Sequence, residues 1–123
     1  MWTEIINTII GILKDKRAED KETRDGVCEL LKHIGKTIES AALDIEAGEY
    51  PHGKCGELQV YSLELVHYLE GKVDPDTLKN LEAQLIEASN VERDFAKRED
   101  PDTITKLFFA SAYFQAMGNL NRV

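Results

Sequence analysis

Residues 27–45, VCELLKHIGKTIESAALDI, decide the fold. Advanced by 100° per residue, Val27, Leu30, Leu31, Ile34, Ile38, Ala41 and Ile45 fall on one stripe, the pattern of a helix that buries one face in a bundle. Gly48 and Pro51 end this helix, because glycine suits a C-terminal cap and proline cannot continue the hydrogen-bond ladder.

The same period continues on both sides. Upstream, Trp2, Ile5, Ile6, Ile9 and Leu13 share a face of a shorter helix that begins near Thr3. Between them, Lys14 to Asp25 mixes both charges with almost no apolar residue, and reads as a solvated continuation or an exposed connection. Downstream, a third helix runs from about Lys54 to Glu70 and stops at Gly71. Asp74-Pro75 pairs an N-cap acid with proline at the first helical position, and starts a fourth helix through Leu78, Leu81, Leu85 and Ala88 towards Phe95. Asp100-Pro101 repeats the device for a fifth helix carrying Ile104, Leu107, Phe108 and Phe114, with Gly118 as its expected C-cap. No segment alternates as a half-buried strand would. Short connections near residues 50, 73 and 100 favour antiparallel neighbours. The expectation is an all-α, up-and-down helical bundle of four long helices plus a shorter N-terminal helix, in one domain over residues 1–123.

Composition narrows the partners. With a formal net charge of -8, the surface repels phosphate backbones and anionic lipid, which argues against nucleic acid and membrane. No run approaches the roughly 20 apolar residues of a membrane span. Two cysteines, Cys28 and Cys55, are too few for a disulfide scaffold, and Met1-Trp2-Thr3-Glu4 lacks the basic start of a secretory signal. A cytoplasmic location with reduced thiols is expected.

Two helices carry more apolar surface than a core stripe needs. On the third, Leu58, Tyr61, Leu65, Tyr68 and Leu69 make the expected inner face, yet Val60, Leu63 and His67 form another stripe opposite. On the fifth, Phe109, Tyr113, Ala116 and Leu120 lie opposite Ile104, Leu107, Phe108 and Phe114. A helix apolar nearly all round is covered all round, by its own chain or by another. The expected function is therefore a non-enzymatic protein–protein interaction module or adaptor that self-associates through Val60, Leu63, His67, Phe109, Tyr113 and Ala116, its partner being a second copy or another protein.

The competing reading is a small hydrolase or metal-binding bundle. His52-Gly-Lys-Cys55 opens the third helix, where free backbone amides and a lysine would favour a thiolate, and His33 is the further group that could join His52, Lys54 and Cys55. Zinc would draw on Cys28 and His33 as the remaining ligands. Glu64-Leu-Val-His67 has the Glu-x-x-His spacing of di-iron bundles, but occurs once and points away from the core. Glu29 and His33, four apart, suit a local contact rather than a site. Glu19-x-x-Glu22 and Glu46-x-x-Glu49 have the spacing with which acidic pairs hold magnesium, the first with no apolar wall and the second with Gly48 inside it, so both read as solvated faces. No phosphate loop is present, since Gly53-Lys54 lacks the upstream glycine and the following Ser or Thr. Neither metal nor cofactor is expected.

Overall fold

The computed structural model describes residues 2–16 and 21–120. Among them lie six α-helices and no strand: α1 (Trp2–Lys16), α2 (Lys21–Glu46), α3 (Lys54–Leu69), α4 (Pro75–Ala88), α5 (Val91–Ala96) and α6 (Pro101–Leu120). Of the mixed-charge stretch, residues 14–16 belong to α1 and residues 21–25 to α2. The expected fourth helix divides at Ser89-Asn90. Asn90 caps a new helix by accepting the backbone N–H of Arg93 at 3.4 Å, so its apolar period runs on while its backbone does not.

Several boundaries follow from the sequence signals. The Asp74 carboxylate accepts the backbone N–H of Thr77 at 3.2 Å, and the Asp100 carboxylate accepts that of Asp102 at 3.0 Å. Gly48 and Gly71 take positive φ after α2 and α3, a conformation that glycine adopts without a Cβ penalty.

The longest helix, α2, organises the rest. Its most extensive neighbour is α6, which runs antiparallel to it: Gly118 lies beside Cys28 and Lys32, and Gly35 beside Ser111 and Gln115. Small residues on α2 at Cys28, Gly35 and Ala42 recur every seven positions, and let the two backbones approach. On the other flank of α2, α3 is also antiparallel, with Tyr68 over Gly26 and the Tyr61 ring stacked on His33 at 5.3 Å. α4 then packs on α3, and α1 closes the ring against α6 and α4 rather than against its chain neighbour α2.

One core fills this ring. Ile5, Ile6, Ile9, Ile12 and Leu13 are buried, so α1 is a packed core helix. They share one core with Leu31, Ile34, Ile38 and Ile45 of α2, Leu58 and Leu65 of α3, Leu81 and Leu85 of α4, and Leu107 and Phe114 of α6. Phe114 is fully buried, and Trp2 places its ring edge-on to it at 5.6 Å and 88°, the preferred geometry for aromatic quadrupoles. Two expectations are corrected here. Tyr68 is exposed and the inner face of α3 instead takes Ser62 and Val66, because α3 must face α2 on one side and α4 on the other. Gly118 is not a cap; it is buried within α6, where its missing Cβ admits the α2 backbone.

Candidate functional site

The residues that open α3 belong to a loop packed on α5. Gly53 sits at the helix start with φ 77°, which turns Lys54 and Cys55 into the first turn. His52 is exposed and its ring lies 4.6 Å from that of Tyr50, which in turn meets Phe95 edge-on at 5.2 Å. Arg98 covers the Phe95 ring at 4.5 Å. Loss of water raises the Tyr50 phenol above its ordinary range, as do its hydrogen bond to Glu92, the charge of that carboxylate and the nearby Cys55. The Cys55 thiol is half-buried, with the Gln59 amide 3.6 Å from its sulfur.

These contacts do not assemble the reactive cluster expected from the sequence. His33 is on α2 and stacks on Tyr61, His52 leans on Tyr50, and Cys28 is sealed in the core away from Cys55. Among the described residues, no group of three or more His, Cys, Asp or Glu could hold a metal ion. Glu64 and His67 are both exposed, and the His67 ring nitrogen stands 3.7 Å from the Glu70 carboxylate on the same helix. Glu19 lies outside the described residues, and Glu46 and Glu49 are exposed at the end of α2.

The second stripes are on the surface. On α3, Val60 is 55% exposed and Leu63 50% exposed, and the charged or titratable Glu57, Glu64, His67 and Glu70 lie among them. On α6, Phe109 is 52% exposed, Tyr113 42% and Leu120 81%, with Ala112 and Ala116 exposed between them. The Phe109 and Tyr113 rings touch at 4.6 Å, so the two form one patch. No charged residue occurs between Lys106 and Arg122, in a chain that is 31% charged. α2 stands between α3 and α6, and no ring contact joins the two stripes among the described residues.

Comparison of the chain with protein families, curated proteins and solved structures gives no match. A functional reading therefore rests on the geometry above. No helix among the described residues is long and apolar enough to cross a membrane.

Sequence reasoning missed the cations beside this patch. Arg93, Lys97 and Lys106 line one groove with Trp2 and Phe109. Arg93 and Lys97 are four apart, which places them on one side of the chain where it is helical, but that signal points nowhere until α5 is recognised as a helix of its own.

Proposed function

We propose that this chain is a non-enzymatic interaction module that pairs with a second copy of itself through the outer face of α6, in a reducing, cytoplasmic setting. The observation that carries the reading is the uncharged, half-exposed patch of Phe109 and Tyr113 with the small exposed residues Ala112 and Ala116 beside them. Exposed aromatics at the centre of an uncharged face are the usual anchors of protein interfaces.

Self-pairing is supported by spacing and by charge. Phe109 and Tyr113 are one turn apart, as are Ala112 and Ala116. Laid antiparallel on a second α6, Phe109 faces Ala116 of the other copy and Tyr113 faces Ala112, and the two-fold operation repeats both contacts. Each bulky ring thus meets a small residue. A chain of net charge -8 repels its own kind over most of its surface, and α6 offers a face where that repulsion is weakest. The α3 stripe, with Glu64 and the His67–Glu70 pair beside Val60 and Leu63, lacks this advantage.

The test is solution mass by light scattering over a range of micromolar concentrations. The expected mass is twice the 13.9 kDa of one chain, falling to one chain in Phe109→Lys and unchanged in Leu63→Lys, with helicity by circular dichroism confirming that both variants fold. A wild-type monomer throughout, or a dimer insensitive to Phe109→Lys, overturns the proposal.

A further inference from the structure

A groove of about 630 Å³ lies where the start of α1, the short α5 and the first turns of α6 come together. Its apolar surface is Trp2, Leu107 and Phe109, and its rim carries Arg93, Lys97 and Lys106. The volume falls within the range of small-molecule sites, about 300–1,000 Å³. Three cations gathered around one groove run against the acidic balance of the chain, and Asp94 is the single carboxylate that lines it.

The cations are not equally available. Arg93 is already engaged with α4, donating to the Glu87 carbonyl at 3.3 Å and standing 3.8 Å from the Glu87 carboxylate. The Lys97 and Lys106 ammonium groups have no hydrogen-bond or ion-pair partner among the described residues. Burial raises the Asp94 carboxyl from its ordinary range, while Arg93 and Lys97 pull it back. Two ammonium groups, of which Lys97 already acts on the half-buried Asp94 carboxyl, leave a single positive charge to be matched. With the guanidinium fork of Arg93 turned to Glu87, the bidentate geometry that favours phosphate is spoken for.

The aromatic part is held in place beforehand. Trp2 is fixed edge-on against Phe114, so a ligand lying beside it meets a surface that need not reorganise. Phe109 contributes a second, exposed ring to the lining.

We infer that this groove binds a small molecule with one carboxylate on a flat apolar body, the carboxylate held by Lys97 and Lys106 and the body resting on the apolar lining of Trp2, Leu107 and Phe109. The inference does not rest on the pairing of α6, and the two compete for one ring, since Phe109 lines the groove and also anchors the pairing face. Trp2 is the only tryptophan of the chain, so its indole N–H gives a unique resonance from a residue that lines the groove.

The test is titration of the intact protein with 2-naphthoate and with uncharged 2-naphthamide, followed by that resonance and by calorimetry. The expected result is a shift of the Trp2 signal, with the carboxylate binding about tenfold more tightly than the amide, the ratio that about 1.4 kcal/mol of charge attraction gives. Lys97→Gln with Lys106→Gln brings the carboxylate down to the level of the amide, and Asp94→Asn tightens it. Absence of binding, equal binding of the two probes, an unmoved Trp2 signal, or lysine variants that bind as the wild type does each overturn the inference. Light scattering on Lys97→Gln alone keeps the two proposals apart, since Lys97 follows α5 and lies outside α6.

Discussion

Gly118 of α6 lies directly against the backbone carbonyl of Cys28 on α2: a Cβ at position 118 would stand 2.6 Å from that oxygen. A backbone atom inside a 26-residue helix cannot swing aside as a side-chain tip can. Gly118→Ala therefore forces α2 and α6 apart and costs about 1–3 kcal/mol, as overpacking of a well-fitted core does. Gly11, exposed in α1, gives the opposite sign, because a Cβ there would meet nothing within 4 Å. Gly11→Ala stabilises by about 0.5–1 kcal/mol through helix propensity. Urea midpoints of the two variants check both signs.

Asp94 supplies a pH dependence. Burial raises its folded-state pKa above the unfolded value, about 3.9, so the folded chain binds more protons in that window. Stability contributed by this group is then present below the unfolded value and lost as pH rises through the folded one. Relative to Asp94→Asn, the wild type should lose stability on going upward from about pH 4 and level off above the raised pKa. Denaturant midpoints of the pair, taken from pH 4 to 7, read the difference directly; a wild type that gains on the variant as pH rises contradicts the assignment.

The two thiols should separate by accessibility. Cys28 is fully buried on α2, whereas Cys55 is half-buried at the start of α3. Ellman's reagent is expected to titrate one thiol in the native protein and a second only in denaturant, and Cys55→Ser should abolish the native reaction.

The cap of α4 is a local test of the turn that follows α3. Asp74→Ala removes the acceptor for the Thr77 amide and costs about 1 kcal/mol, whereas Asp74→Asn keeps an acceptor and most of the stability. Thermal unfolding by circular dichroism distinguishes them.

The helical class, the caps at Asp74 and Asp100 and the buried face of α2 are legible in the chain because each rests on contacts within a few residues. Tertiary decisions are less accessible. Tyr68 has the spacing of a core residue, but the angle between α2 and α4 around α3 gives its place to Ser62 and Val66. Gly118 reads as a helix end because glycine commonly is one, and only the approach of α2 reveals the close contact it permits. The repeat of small residues at Cys28, Gly35 and Ala42 is the available hint. On the candidate surface, the excess of apolar residues on α6 is visible in the sequence, whereas the groove is not, since Trp2, Arg93 and Lys106 come from three separate helices. His33 and His52 show the converse, being close in chemistry and apart in the fold.

The placement of α1 sets an order on how the domain can be made. It leaves the ribosome before the rest of the bundle, yet the helices that shelter Ile5, Ile6 and Ile9 are α4 and α6, and α6 ends at Leu120. During synthesis, at about 5–20 residues per second, this isoleucine-rich helix waits several seconds for its seat.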